Sequence, residues 1–195
     1  MTAAVDDRIE MAGTSDERTL DMMFEWLEPT PEGIRVEIVE GNIFTSPQPD
    51  AHWQIIRRIV RAMEDEFGMG VQVTSDVRID FPGHLNGFAP DVAKLCDGAE
   101  KDEKGRWRYQ DIEFVAEVVS KNTAANDYGP KPATYATAGV PVYLIADPCT
   151  GKWHLHTLPK DDGYHGLVTF DFGYPVDLTA TVVGLTLETD DFPRD

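Results

Sequence analysis

The stretch that most constrains this chain is residues 114–120, a nearly continuous apolar run with a glutamate in its middle. A short valine-rich run bounded by polar residues is typical of a strand buried on both faces of a sheet. An ionised carboxylate in a sheet interior is costly unless another group pairs with it. The sequence therefore predicts a buried strand in which Glu117 has a partner.

Further charged residues surround this strand in the sequence. Asp91 opens a second apolar segment at residues 90–96, and Asp127 and Lys131 follow the Glu117 segment. Two clustered carboxylates repel each other, and a bound Mg²⁺ or Mn²⁺ removes that conflict. Such a metal can activate water and stabilise charge on a phosphoryl oxygen, while a nearby lysine holds the attacked phosphate. Our central hypothesis is a metal site formed by Asp91 and Glu117, with Lys131 stabilising charge.

Simpler interpretations exist for several of these residues. On a helix over residues 127–138, Asp127 and Lys131 lie one turn apart, and the spacing alone slightly favours a surface ion pair. The alternation around Glu37 favours a solvated face, with the edge of the metal site as the alternative. His52 lies in the first turn of a helix, where a packing or capping role is more common than ligation.

Length and composition indicate one globular domain over residues 20–195, preceded by a disordered tail over residues 1–19. No apolar run approaches the roughly 20 residues that a membrane-spanning helix needs. The first 19 residues lack the apolar core of a signal peptide. Two distant cysteines make no disulfide framework, so we expect a cytoplasmic protein with reduced thiols.

The net charge of −18, from 17 basic and 35 acidic residues, argues against tight nonspecific binding of DNA. Affinity for nucleic acid comes largely from lysine and arginine neutralising phosphates. A local basic groove or a metal ion can still meet phosphates, so a nuclease is compatible with this charge. One basic cluster, interpreted as either a solvated loop or a phosphate contact, consists of Lys101, Lys104, Arg106 and Arg108.

Hydrophobic periodicity outlines an α/β fold with a central mixed sheet flanked by helices. It predicts helices over residues 20–27, 50–67 and 127–138, and an N-terminal antiparallel hairpin of residues 34–40 and 43–46 with a Gly-Asn turn. The segments 114–120 and 140–146, joined by the last helix, should form a parallel crossover. The alternating segments from residue 153 onward predict an antiparallel meander that widens the sheet.

Three motifs of this chain resemble the Uma-two family of endonucleases, which belongs to the PD-(D/E)XK nuclease superfamily. They are Asp91 within Pro-Asp-Val, Glu117 within Glu-Val-Val-Ser, and the run Asp127-x-x-x-Lys131-x-x-x-Tyr135-Ala-x-Ala-Gly-Val-Pro. The segment Arg35-Val-Glu37-Ile-Val-Glu-Gly41, followed by Ser46-Pro47 and His52, is similar to the opening motif of that family. The resemblance spans roughly residues 20–190.

The resemblance implies a restriction-endonuclease-like fold with a divalent metal between the strands of Asp91 and Glu117. It implies Asp91, Glu117 and Lys131 as catalytic residues, with support from Glu37, Asp127, His52 and Ser120. The superfamily lysine normally stands two residues after the glutamate, where this chain has Val119. Lys131 resembles a migrated replacement, and Lys121 is the rival candidate. The resemblance also implies a homodimer.

Two functions of different classes follow. The first is a Mg²⁺- or Mn²⁺-dependent endonuclease that hydrolyses phosphodiester bonds in DNA, with weak nonspecific affinity for its substrate. The second is a non-catalytic module of the same fold that acts through dimerisation or partner binding, which the acidic charge and the displaced lysine favour. A weaker third possibility is a hydrolase of a small phosphodiester or nucleotide.

Overall fold

The computed structural model of the chain describes residues 7–47, 50–121 and 123–195. Its helices are α1 (Asp7–Trp26), α2 (Asp50–Phe67), α3 (Ala124–Tyr128) and α4 (Pro130–Thr137). Its strands are β1 (Ile34–Val39), β2 (Asn42–Pro47), β3 (Val73–Thr74), β4 (Ile79–Phe81), β5 (Asn86–Phe88), β6 (Val92–Leu95), β7 (Ile112–Val118), β8 (Val142–Asp147), β9 (Lys152–Lys160), β10 (Gly163–Asp171), β11 (Val176–Asp177) and β12 (Thr186–Leu187).

The strands form a central six-stranded sheet and two smaller sheets. The central order is β10-β9-β8-β7-β6-β3, in which β7 and β8 are parallel and the other neighbours antiparallel. A four-stranded antiparallel sheet has the order β2-β1-β5-β4, and β11 pairs with β12. The predicted mixed sheet, its parallel crossover and the N-terminal hairpin are therefore confirmed.

Strand β7 is buried on both faces, as its sequence predicts. Phe114, Ala116 and Val118 pack into a core shared with α2 and the C-terminal strands. Val115 faces the opposite core, which contains Phe88 of β5 and Tyr135 of α4. Because side chains alternate along a strand, Glu117 points to this second side, between the central sheet and the layer formed by α4 and the four-stranded sheet.

Two details of the predicted sheets differ from the structure. The hairpin turn is made by Glu40 and Gly41, whose φ angles are 50° and 76°, and Asn42 already belongs to β2. Positive φ at both central residues matches the right-handed twist of the paired strands. At the C-terminal end, β9 and β10 widen the central sheet as predicted, whereas β11 and β12 form a separate pair.

The first helix is longer than its sequence pattern suggests. It begins at Asp7 instead of Leu20, so the expectation of disorder was wrong for residues 7–19, and residues 1–6 lie outside the described part. Tertiary partners hold its second half, because Leu20 is buried and Glu17 and Asp21 form ion pairs with Lys104. Within the described residues, no helix is long and apolar enough to cross a membrane.

The helix predicted over residues 127–138 is in fact two helices. The chain breaks at Gly129, with φ −110° and ψ −99°, between α3 and α4. Pro130 explains the break, since proline lacks an N–H and disfavours helical geometry in the residue before it. Asp127 therefore lies on α3 and Lys131 on α4.

Candidate active site

The pairing of β6 with β7 brings the two predicted metal ligands together. Asp91 directly precedes β6, and its Oδ2 accepts a hydrogen bond of 2.7 Å from the backbone N–H of Val118. The Asp91 N–H in turn points at Oε2 of Glu117, at 3.4 Å. Both side chains are fully buried, at 0% exposure. The two carboxylates thus share one interior position on the sheet.

Strand β1 supplies a third carboxylate from the facing sheet. Glu37 is buried, and its Oε1 accepts a hydrogen bond of 3.0 Å from the N–H of Ala89. Its Oε2 lies 2.9 Å from Nζ of Lys131. The solvated face that alternation favours for Glu37 is therefore absent from the structure, because both faces of β1 are covered at this residue.

Lys131 lies at the centre of the carboxylates. Its Nζ is 2.9 Å from Glu37, 3.0 Å from Oε1 of Glu117 and 3.2 Å from Oδ1 of Asp127. The Asp127–Lys131 pair is therefore buried rather than on the surface. Lys121, the rival lysine, is exposed. Of the two lysines, the structure brings only Lys131 to the carboxylates.

The remaining two predicted residues differ in their position. His52, on the first turn of α2, places Nε2 2.9 Å from Oδ1 of Asp91. Ser120, just beyond β7, instead pairs its Oγ with Oγ1 of Thr123 at 2.8 Å. His52 is thus in direct contact with the site, whereas the hydroxyl of Ser120 is bonded to a neighbouring loop residue.

Two further residues belong to the site and were not assigned a role from sequence. Nη1 of Arg35 forms an ion pair with Oδ1 of Asp91 and lies 3.8 Å from Oε2 of Glu117. The hydroxyl of Tyr135 donates a hydrogen bond of 2.7 Å to Oε1 of Glu117. Their spacing in the sequence could have indicated this. Arg35 is two residues from Glu37 on a strand, and Tyr135 is four residues from Lys131 on a helix, so each shares a face with a residue of the site.

We call the six ionic residues at this position the buried charge cluster. It comprises four carboxylates and two cations: Glu37, Asp91, Glu117, Asp127, Arg35 and Lys131. The cations do not balance the carboxylates, and burial weakens the screening by water. A buried, unbalanced set of carboxylates is the arrangement in which a further cation is most strongly attracted.

The pKa values of the two predicted metal ligands, Asp91 and Glu117, shift in opposite directions. Burial disfavours ionisation of Asp91, yet the charge of Arg35 and the contact with His52 outweigh it and lower the pKa of Asp91 to about 2. Burial raises the pKa of Glu117 well above its ordinary value, and Glu37 and Asp91 raise it further against the effect of Lys131. Burial also raises the pKa of Asp127. Proton uptake on Glu117 is one way to relieve the excess negative charge, and binding of a cation is the other.

The donor set fits a hard divalent cation. Among the described residues, no three His, Cys, Asp or Glu side chains are arranged to hold a metal ion by themselves. Mg²⁺, however, is often held by only one or two carboxylates and keeps several waters. Asp91 Oδ1 and Glu117 Oε2 converge on one cation, which in this structure is the guanidinium of Arg35. The chemistry of these oxygens suits magnesium or manganese.

Two cavities share Trp53 in their lining, and one of them is also lined by a residue of the cluster. One, of about 750 Å³, is lined by Arg35 and Ala89 together with Trp53. The other, of about 610 Å³, shares Trp53 and is lined by arginines of α2: Arg57, Arg58 and Arg61. Trp53 is 47% exposed, although the helical periodicity places it among apolar positions. Of the cluster, Arg35 lines the first cavity, and Asp91 and Glu117 line neither.

In the loop at residues 101–108, two members of the predicted basic cluster form ion pairs with carboxylates of the protein. Arg106 forms ion pairs with Asp21 and Asp80, at 2.7 and 2.8 Å. Lys104 pairs with Glu17 and with Asp21. These two side chains are therefore occupied by protein carboxylates, and neither lines one of the two cavities.

Comparison with known proteins gives a family and a fold. The sequence model of the Uma2 (Uma-two) family, described as "Putative restriction endonuclease", matches residues 20–190. Solved structures that match include a protein of Anabaena variabilis ATCC 29413, described as a "putative nuclease belonging to DUF820". It has a TM-score of 0.68 and 17% identity, covering 89% of this chain and 96% of that one. At this identity the likeness shows the fold. No curated protein matches the chain.

Proposed function

The chain belongs to the Uma2 family, and we propose that it is a divalent-metal-dependent nuclease that hydrolyses phosphodiester bonds in DNA. The observation that carries this proposal is the convergence of Asp91 and Glu117 on one cation position inside an unbalanced carboxylate cluster. Strongly perturbed carboxylates in the interior, next to a cavity, are typical of functional sites. The family match supports the class of reaction.

We assign the residues as follows. Asp91 and Glu117 would hold Mg²⁺ or Mn²⁺, which when bound lowers the pKa of water and stabilises charge on a phosphoryl oxygen. His52 and the Val118 N–H orient the Asp91 carboxylate through its two oxygens. Lys131 and Tyr135 both bind Oε1 of Glu117, which leaves Oε2 directed towards Asp91.

Lys131 supplies the permanent positive charge of the site. Its ammonium group faces Glu37, Glu117 and Asp127, and these carboxylates raise its pKa although burial opposes the charge. Lys131 therefore stays protonated and favours the ionised, metal-binding form of Glu117. Glu37 and Asp127 take the supporting roles, because each holds the ammonium group from a different side.

The residues that line the two cavities support a nucleic acid strand as the substrate. Arg57, Arg58 and Arg61 line the cavity that shares Trp53 with the one lined by Arg35, and they offer positive charge to phosphates. Trp53 presents an aromatic surface on which a base could stack. With a net charge of −18, binding elsewhere on the surface should be weak. We also propose a homodimer, which light scattering of the purified protein would test.

The test is cleavage of plasmid DNA with Mg²⁺ or Mn²⁺ by the wild type and by Asp91→Asn. Asn keeps the shape of the side chain and loses its charge, so cleavage should fall about 100-fold or more. Glu113→Gln is the matched control, because Glu113 is another carboxylate of β7 that pairs with Lys94 outside the cluster. It should cleave like the wild type.

Two results would count against this function. Metal-dependent cleavage that persists in Asp91→Asn would remove Asp91 from the site. A wild type that neither cleaves DNA nor binds Mn²⁺ would favour the alternative, a non-catalytic module that acts through dimerisation or partner binding.

A further inference from the structure

The position of Arg35 is unusual for an arginine that only supports a fold. Its Nη1 forms an ion pair with Oδ1 of Asp91, lies 3.8 Å from Oε2 of Glu117, and donates to the carbonyl of Ala89 at 3.3 Å. The guanidinium therefore sits between the two carboxylates proposed as metal ligands. A divalent cation bound by both carboxylates would need the position that this group now fills.

Arg35 also lies between the carboxylates and solvent. It lines the cavity of about 750 Å³, whereas Asp91 and Glu117 have no exposed surface and do not line it. On the cavity side, Oδ1 of Asp76 lies 3.6 Å from the same Nη1, and the Asp76 side chain is partly exposed. A short movement of the guanidinium towards Asp76 would open the way to the carboxylates.

The guanidinium is incompletely held in its present position. Arg35 is 8% exposed, yet Nε has no hydrogen-bond partner among the described residues, and the direct pair with Asp91 uses a single nitrogen. Arginine–carboxylate pairs are frequently bidentate, with two parallel hydrogen bonds that fix the geometry. Four carboxylates lie within 4 Å of the Arg35 guanidinium, but only Asp91 is within hydrogen-bond distance, since Asp76, Glu117 and Glu37 lie at 3.6, 3.8 and 3.9 Å. Lys131, by contrast, is 0% exposed, lines neither cavity, and its Nζ lies 2.9, 3.0 and 3.2 Å from three carboxylates.

We infer that Arg35 is a resident cation of the metal site, which holds Asp91 and Glu117 together in the metal-free protein and is displaced towards the cavity when a divalent cation binds. This inference rests on the proposed metal site. It assigns Lys131 as the permanent cation and Arg35 as the exchangeable one. After displacement, the guanidinium stands in the cavity, where it can contact a phosphate of the substrate.

The first test is calorimetric titration of Mn²⁺ into the wild type, Arg35→Met and Arg78→Met. Removing the competing cation should tighten Mn²⁺ binding by about tenfold or more. Arg78 is the matched control, because it lines the same cavity but pairs with Asp80 and Asp21. Arg78→Met should bind Mn²⁺ like the wild type.

The outcomes separate this inference from the proposed function. Equal Mn²⁺ affinity in the wild type and Arg35→Met would show that the metal does not displace Arg35, and the proposed metal site would be unaffected. Absence of binding in both proteins would overturn the metal site and the exchange together. Equal tightening in Arg35→Met and Arg78→Met would also overturn the exchange, since any lost positive charge would then have the same effect.

A second measurement uses the wild-type protein and does not depend on a folded Arg35 variant. Phenylglyoxal modifies accessible arginines, and mass spectrometry of peptides reports the rate at Arg35 and Arg78 separately. Saturating Mn²⁺ should raise modification of Arg35 by about threefold or more and leave Arg78 unchanged, because displacement moves Arg35 into the cavity. Bound Mn²⁺ with an unchanged rate at Arg35 would show that the guanidinium does not move, and the inference would fail.

Discussion

Two groups of charged residues in this protein differ in their balance of charge. The buried charge cluster places four carboxylates around two cations. On the surface, Glu17, Asp21 and Asp80 pair with Arg78, Lys104 and Arg106, which we call the surface charge network. Between separate elements, this network pairs three acids with three bases, and Asp102 adds only a contact of 4.0 Å with Arg106 inside their own loop. Ion pairs that join one secondary-structure element to another therefore do not require more carboxylates than cations.

The two groups also differ in how much water surrounds their charges. The surface charge network joins α1 to β4 and to the loop of Lys104, and every member keeps contact with water. The cluster leaves carboxylates uncompensated in a water-poor interior, where each unpaired charge is costly. Such a cost is expected where a ligand supplies the missing charge.

The largest effect is expected from removing the central cation of the cluster. Lys131→Met leaves Glu37, Glu117 and Asp127 without their shared partner, so the free energy of unfolding should fall by about 3–5 kcal/mol. Lys104→Met, in the surface charge network, should cost about 1 kcal/mol or less because water replaces the lost partner. Urea unfolding of both variants at neutral pH measures the two values.

Similar losses in these two variants would mean that the two groups of charges do not differ in their dependence on a buried partner. A small loss in Lys131→Met would mean that water or protons already compensate the carboxylates. The acidic residues would then give no reason to expect a bound cation.

A smaller effect of the opposite sign is expected from Glu117→Gln. The pKa of Glu117 is raised in the folded protein by burial, so protonated Glu117 stabilises the fold. That stabilisation is complete below the unfolded pKa of about 4.3 and is lost as pH rises through the folded pKa. The glutamine variant has no such loss, so it should become more stable than the wild type by about 1 kcal/mol or more with rising pH.

Thermal unfolding of both proteins without metal, at several pH values from about 4 to about 8, measures this difference. Glu113→Gln serves as the control, since Glu113 is partly exposed and paired with Lys94. A difference between Glu117→Gln and the wild type that stays constant across this range would show that Glu117 does not carry the excess charge. Added Mn²⁺ should stabilise the wild type and not Glu117→Gln.

The sequence predicts most of the scaffold because the scaffold depends on local patterns. The apolar run of β7, the periodicity of α2 and the crossover to β8 are each visible within a single segment. Asp91, Glu117 and Lys131 were also expected together, since an acid inside an apolar strand needs a partner. The break at Gly129 was missed although Pro130 marks it, because the periodicity continues through it.

What the sequence does not predict depends on contacts between distant segments. Glu37 and Arg35 look like the polar face of an edge hairpin, and only the packing of β1 against α4 and β6 makes that face an interior one. In α1, Glu17 and Asp21 meet Lys104 and Arg106, which lie more than 80 residues away. The pattern of residues within one segment contains no information on such distant partners, although these contacts determine which charges are buried.

The smallest effect is expected in the surface charge network, from Asp21→Asn. Burial opposes ionisation of Asp21, but hydrogen bonds from Lys104, Arg78 and Arg106 lower its pKa to about 2. Its contribution to stability is therefore present above the unfolded pKa of about 3.9 and is lost as pH falls towards 2. Because these side chains are partly exposed, the loss at neutral pH should be about 1 kcal/mol or less.

Salt separates this contribution from that of the cluster. At about 1 M NaCl the screening length is about 3 Å, so the difference between Asp21→Asn and the wild type should nearly vanish. The loss in Lys131→Met should persist at the same salt concentration, because ions do not enter the interior where its carboxylates lie. Urea unfolding of the three proteins at low and high salt measures both changes. If salt erased the effect of Lys131→Met as well, the cluster would be open to solvent, and its excess of carboxylates would no longer call for a bound cation.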